Sequence, residues 1–215
     1  MSFVKEKTYY SHGRSDLLLL LPDSIKLGSV LDVGCGCGVT GKYLKNHFKA
    51  KQVVGIEMNG EMARQAQTVL DHVIVGDVQK IELPFDQQYF DCIICADVLE
   101  HLYDPWSVLK KLKTYLNDSG YLLLSLPNVQ HWSMILKLLA GKWHYQPEGI
   151  LDSTHIRFFT RSSLREMMEE TGFEIEAMNG AMGREVRFIN FLTLGILSGF
   201  LSFRYFVLAK KSNRK

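Results

Sequence analysis

No charge of either sign dominates this sequence: 25 Lys and Arg stand against 23 Asp and Glu, a formal net charge of +2 over 215 residues. A general nucleic-acid surface is built from basic excess, so no nucleic-acid partner is expected. Apolar residues are not scarce, at 47%, which excludes a disordered chain and leaves ample material for a core. No basic-then-apolar leader opens the sequence, MSFVKEKTYYSHGR, so an intracellular, cytoplasmic protein is expected. No internal repeat or low-complexity linker divides the chain, which reads as one domain over residues 1–215.

Cysteine is sparse. Cys35, Cys37, Cys92 and Cys95 have the Cys-x-Cys and Cys-x-x-Cys spacing of zinc ligands. Cys92 and Cys95, however, fall in the strand-like run FDCIIC, where residues three apart face opposite sides. Small buried thiols are the better account, and no metal site is expected. A membrane-crossing run is also missing. The longest uncharged apolar stretch, Phe188 to Phe203, contains Asn190, Thr193 and two glycines and falls short of the roughly 18 to 20 residues that span a bilayer. It reads first as a buried or substrate-facing helix, second as a membrane-surface patch.

What is present is alternation. Ser29–Val33, Gln52–Glu57, Val73–Val75, Phe90–Cys95 and Tyr121–Leu126 read as strands. Between them Gly38–Phe48, Gly60–Leu70 and Pro105–Leu116 have helical spacing. Pro105 suits a first helical turn, and Asn117-Asp118-Ser119-Gly120 reads as a turn closing that helix. Continuous apolar strands between helices predict a parallel sheet covered on both faces. Beyond the amphipathic piece WSMILKLLAGKW, Thr160 and Ser163 open a helix that runs to Glu170. Gly172 ends it, Phe173–Met178 reads as a strand, and Arg204–Ala209 as the final one.

The strongest signal is LDVGCGCG at residues 31–38, a strand running into three glycines at alternate positions and then a helix. Such a loop turns sharply and lets a nucleotide-type ligand approach the backbone. Val39 stands where a dinucleotide fingerprint has its third glycine. Asp32 sits inside the strand, poorly placed for a pyrophosphate but suited to a cationic amino group. Glu57 ends the second strand, where a carboxylate grips both ribose hydroxyls. Asp77 follows the third and can accept from an exocyclic amine of adenine. Together these describe an adenosine carrying a positively charged amino acid.

With GIEMNGEMARQA and GDVQKIELPFDQQYFDCIICADVLEHL following in order, the sequence resembles the class I S-adenosylmethionine-dependent methyltransferases, in particular the small-molecule type 11 and type 23 groups. The resemblance is dense from Val30 to Tyr121 and looser to Ala209. It implies a Rossmann-like, doubly wound α/β fold with a seven-stranded sheet, the last strand antiparallel, and a helical insert after strand 5. Residues 1–28 would form a lid helix, 29–127 the cofactor core, 128–160 and 187–203 the substrate side, and 204–210 the final strand. Gly34, Gly36 and Gly38, with Cys35 among them, would lie under S-adenosyl-L-methionine, and Asp32 would face its methionine end. Glu57 would hold the ribose, Met58 lie along the adenine, Asp77 and the Val78 amide read the base, and the Ala96 backbone approach the methionine. Tyr10 would face the sulfonium and Arg14 the methionine carboxylate, unless Tyr9 and Tyr10 simply pack the helix onto the sheet.

The expected activity is in-line methyl transfer to a small-molecule acceptor, on oxygen, releasing S-adenosyl-L-homocysteine. A general base for a hydroxyl contributes about 10²- to 10⁴-fold. The candidates are His101 in LEHL and His155 in DSTHIRFFT, each with a structural alternative. Trp132 and Arg157 are candidate substrate contacts, Arg157 either for an acidic acceptor or as a partner of Asp152. The Asn/Asp-Pro-Pro-Tyr stretch of DNA and amide methyltransferases is replaced by Ala96-Asp97-Val98-Leu99. A nicotinamide-dependent oxidoreductase and a non-catalytic S-adenosylmethionine-binding module are the alternatives. The apolar segments suggest either a lipid-like acceptor met at a membrane surface, or core or homodimer surface.

Overall fold

The computed structural model describes residues 14–22 and 25–212, without the side chains of residues 184 and 189. The expected lid segment therefore appears only in part, as the short helix α1 (Ser15–Leu18). Tyr10 lies outside the described residues.

The strands are β1 (Ser29–Val33), β2 (Gln52–Glu57), β3 (His72–Val75), β4 (Phe90–Ala96), β5 (Leu116–Pro127), β6 (Phe173–Ala181) and β7 (Arg204–Lys211). They form one seven-stranded sheet in the order β3-β2-β1-β4-β5-β7-β6. The first five pair in parallel, and β7 runs antiparallel to both neighbours. The order reverses between β1 and β4. An open α/β sheet leaves a crevice at such a point, outside the carboxyl ends of the strands.

Helices α2 (Val39–His47), α3 (Gly60–Ala66), α4 (Pro105–Tyr115) and α6 (Arg161–Glu170) join the strands, together with a single 3₁₀ turn at Leu99–His101. Local chemistry starts each helix. Asn59 accepts the amides of Glu61 and Met62, and Asp104 accepts that of Ser107 ahead of Pro105. At α6 the Ser163 hydroxyl takes the place of the usual acid: it accepts the Thr160 amide at 2.9 Å while Thr160 Oγ1 accepts the Ser163 amide at 3.3 Å. Buried apolar side chains form one core on each face of the sheet. Cys95 belongs to one and Cys92 to the other, so the two thiols do face apart. Burial, with Asp32 beside them, pushes both well above the ordinary thiol value.

Two expectations need correction. The cluster Asn117–Gly120 is not a turn outside the sheet. It is taken into β5 as a bulge, with Leu116 opposite Phe90 and Tyr121 already opposite Cys92. The Asp91 carboxylate beneath it accepts from Asn117 Nδ2 and from the amides of Gly28 and Ser29. The run Phe188–Phe203 is not one buried helix either. It divides between α7 (Arg184–Leu192) and α8 (Ser198–Leu201), because Leu194 and Gly195 adopt left-handed backbone (φ +50° and +79°) that a helix cannot continue through. Phe191 and Leu194 remain 74% and 88% exposed. Helix α5 (Trp132–Leu139) likewise buries only Met134 and leaves Leu139 79% exposed. Among the described residues no helix is long and apolar enough to cross a membrane.

Candidate active site

An open cleft of about 1420 Å³ lies where the strand order reverses, lined by the ends of β1, β2, β3 and β4. The loop after β1 enters it through Gly34 and Gly36 (φ +69° and +54°), a left-handed conformation that suits glycine. The glycines also permit close packing. A Cβ on Gly34 would meet Val98 at 2.7 Å, and one on Gly38 (φ +80°) would meet Val69 at 2.7 Å and the Ala66 backbone at 3.3 Å. Gly38 is not among the residues lining the cleft; it packs the start of α2 closely on the end of α3 and the segment after it.

Three carboxylates stand at the ends of three neighbouring strands and all line the cleft. Asp32 is 2% exposed, and its Oδ2 has no hydrogen-bond partner among the described residues. Burial, then the nearby Glu57 charge, raises its pKa to about 7. A cationic ligand would relieve that cost. Glu57 is oriented from both sides: Oε2 accepts the Gly36 amide at 2.9 Å and Oε1 the Asn59 amide at 2.7 Å. Each oxygen keeps a second lone pair for a hydroxyl. Asp77 accepts from the Gln79 amide at 3.0 Å. Burial alone would raise its pKa, but the Gln79 and Lys80 interactions outweigh it and hold Asp77 below the ordinary carboxylate value. Cys35, Met58, Val78 and Ala96 also line the cleft, Met58 being 73% exposed above it.

Arg14 reaches the cleft wall but is engaged. Its guanidinium pairs with Asp97, which Arg204 Nε also approaches at 3.1 Å. Asp97 takes a left-handed backbone (φ +55°), with its amide on Ser125 and its Oδ1 accepting the Ser125 hydroxyl at 2.8 Å. Sequence reasoning missed Asp97 and Arg204. The only signal was position: Asp97 follows the last residue of β4, and an antiparallel β7 begins at the edge where the parallel strands end.

The remaining candidates separate. His101 and Thr154 line the cleft, whereas His155 is buried behind the wall with Nδ1 on the Ile150 carbonyl at 3.0 Å. His155 therefore does not reach the cleft directly. Trp132 and Arg157 are not on the cleft wall. Trp132 sits in the exposed apolar face, and the Arg157 guanidinium donates to the Tyr103 carbonyl and lies 5.8 Å from the Trp106 ring centroid.

A family described as a methyltransferase domain matches residues 7–178. The ubiquinone biosynthesis O-methyltransferase of Acinetobacter baylyi is 23% identical over 159 residues, covering 70% of this chain and 65% of that protein. The enzyme of the same name from Aeromonas salmonicida is 26% identical over 164 residues, with 70% and 65% covered. The chain thus spans just under two thirds of the length of these relatives. A SAM dependent methyltransferase from Archaeoglobus fulgidus superposes with a TM-score of 0.69 at 18% identity, covering 96% of this chain and 95% of the other. An S-adenosylmethionine dependent methyltransferase from Mesorhizobium loti gives 0.66 at 17%, with 92% and 96% covered. At these identities the structural likeness establishes the fold.

Proposed function

The chain belongs to the methyltransferase domain family, and from that premise we propose that it moves the methyl group of S-adenosylmethionine to an oxygen of a small-molecule acceptor. The observation that carries this reading is the row of carboxylates at successive strand ends. Asp32 offers an unshared oxygen to the ammonium of the methionine part, Glu57 offers two oriented oxygens to the ribose, and Asp77 faces the adenine amine. Met58 covers the base, and Ala96 and Gly34 approach the methionine chain. Arg14 would exchange Asp97 for the methionine carboxylate.

The sulfonium methyl is already activated, so the protein's work is alignment. With the donor bound, the acceptor oxygen would take the methyl as the C–S bond breaks, the electron pair staying on sulfur and the hydroxyl proton passing to cleft water, and S-adenosylhomocysteine would leave. Holding acceptor and methyl in line supplies about 7 to 11 kcal/mol. The acceptor enters at the end of the cleft walled by His101, Thr154 and residues 146–149. The curated relatives are named for O-methyl transfer and ubiquinone biosynthesis, which supports an oxygen on an apolar molecule.

An apolar acceptor also fits the surface beside that end. Residues 130–147 and 186–203 contain Lys137, Lys142 and Arg187 and no acid. Trp132, Tyr145, Phe188 and Phe191 stand exposed among them, and α5 and Phe203 share a small pocket with Gln146 and Leu151. Aromatic and basic side chains on an apolar face suit an anionic lipid surface that presents the acceptor. A homodimer through this face is the rival outcome, distinguished by mass in solution without lipid. The overall reading is tested by S-adenosylhomocysteine release from a panel of phenols and aliphatic alcohols. One or more hydroxyl acceptors should be turned over. Binding without turnover of any would make the protein a cofactor-holding module, and absence of S-adenosylmethionine binding would overturn the reading.

A further inference from the structure

We propose that Gln79 is a positioning residue that sets base selectivity: it clamps one oxygen of Asp77 so that the other is left for the 6-amino group of the base. The proposal rests on the methyl-transfer reading, which puts the adenine beside Asp77. Gln79 lines the cleft in the turn that follows β3 and is half-buried.

The main chain of that turn is fixed without the Gln79 side chain. The Asp77 carbonyl accepts the Lys80 and Ile81 amides at 2.8 and 3.0 Å. From α4, Lys111 Nζ donates to the carbonyls of Val78 and Ile81 at 2.5 and 2.8 Å. What is left to settle is the direction of the Asp77 carboxylate. Its Oδ1 accepts twice from Gln79, from the amide at 3.0 Å and from Nε2 at 3.3 Å. Among the described residues Oδ2 meets only Lys80 Nζ, at 3.5 Å, on a side chain 83% exposed. One oxygen is taken, and the other is free for a ligand.

The Gln79 amide group can stand only one way round. Its Oε1 accepts the Tyr103 amide at 2.8 Å, with the Asp104 amide at 3.4 Å. Main-chain amides only donate, so the oxygen faces them and the nitrogen faces Asp77. That anchor is held in turn from the acceptor side, because the Tyr103 carbonyl accepts Arg157 Nε at 3.1 Å.

Selectivity follows from the chemistry of the clamped group. An ionised carboxylate only accepts, so it matches an amino group and gains nothing from a base that lacks one. Burial raises the Asp77 pKa, but the Gln79 and Lys80 interactions outweigh it and keep the group ionised. Glutamine serves both ends of the clamp, accepting from Tyr103 and donating to Asp77. A glutamate at this position would keep the first contact and set a second carboxylate against Asp77 Oδ1. A methionine would lose both contacts. Neither would present a fixed acceptor to the base.

The test compares two ligands that differ only at that amino group: S-adenosylhomocysteine and its 6-desamino analogue, with purine in place of adenine. Calorimetry on the wild type, Gln79→Glu and Gln79→Met reads the ratio of the two affinities. The wild type should prefer S-adenosylhomocysteine by about 10- to 100-fold, the worth of one hydrogen bond to a charged group. Both substitutions should narrow that ratio by roughly fivefold or more, mainly by weakening S-adenosylhomocysteine. Gln79→Glu keeps the Tyr103 contact, so it serves if Gln79→Met does not fold, and affinity for the desamino analogue checks the fold. Equal losses for both ligands would make Gln79 a structural residue only and overturn the proposal, as would a wild type that binds the two alike. Absence of S-adenosylhomocysteine binding by the wild type would instead strike the methyl-transfer reading, and the proposal with it.

Discussion

The two ends of the cleft are made of opposite materials. At the β1–β3 end, charged groups are buried: Asp32 and Glu57 are 2% and 7% exposed, with Glu57 held by main-chain amides. Beside the other end the apolar groups face outward, along α5, α7 and α8. Burying charge is costly unless something returns the lost solvation, and exposing large apolar groups forgoes burial. Each end thus carries a local cost that a ligand or partner would offset. The first end is shaped for one polar molecule of fixed geometry, the second for an apolar surface of loose geometry.

The largest expected effect breaks the first end from beneath. Gly38→Ala adds left-handed strain, about 1–2 kcal/mol, and overpacking against Val69 and Ala66, about 1–3 kcal/mol. A denaturant melt should register a loss of roughly 2–5 kcal/mol. Gly141→Ala, at φ +66° in open space beyond α5, should cost only the strain, about 1–2 kcal/mol. Equal losses at both positions would remove the packing role of Gly38.

The next effect sharpens the charge argument. The unfolded chain releases the Asp32 proton near 3.8, while the fold keeps it to about 7. The folded state therefore binds more protons between those values, and this group's contribution to stability falls as pH rises through that window. A ligand ammonium favours the ionised carboxylate. S-adenosylhomocysteine affinity should rise with pH, by up to about tenfold per unit, and level off above about 7. Calorimetry in buffers of differing ionisation enthalpy should detect a released proton on the acid side, and Asp32→Asn should abolish that release. A flat profile would show that Asp32 does not meet the ammonium.

The smallest effect on the fold belongs to the other end. Phe191→Asp, on an exposed face, should change stability by no more than about 0.5 kcal/mol. It should nevertheless weaken co-sedimentation with vesicles containing anionic lipid. Unaltered sedimentation would leave the exposed apolar face without a lipid role.

The two ends also differed in how far sequence revealed them. The β1–β3 end is built from short loops directly after strands, so the cleft positions of Asp32, Gly34, Gly36, Glu57 and Asp77 could be anticipated from the sequence. Alternation of apolar strands and helices was enough for a parallel sheet covered on both faces, whereas the seven strands and the antiparallel last one were legible only through the family resemblance. The Asn117–Gly120 cluster looked like a turn because its residues favour turns; cross-strand pairing with β4 drew it into β5. The apolar run after Arg187 carried no sign of which way it would face, and the break at Leu194 and Gly195 depends on backbone conformation. Arg14, Asp97 and Arg204 meet from three distant segments, as do Glu100 and His155 from two. Such convergence follows from tertiary packing, which local pattern does not encode.

The division of the cleft is tested most directly by calorimetric titration of three proteins with S-adenosylhomocysteine: the wild type, Glu57→Ala and Phe191→Asp. Two hydrogen bonds to a charged group, at about 1.5–3 kcal/mol each, set the expected loss for Glu57→Ala at roughly 100-fold or more. Phe191→Asp should bind as the wild type does, at one site per chain. Equal affinity for Glu57→Ala and the wild type, or a loss confined to Phe191→Asp, would contradict the account.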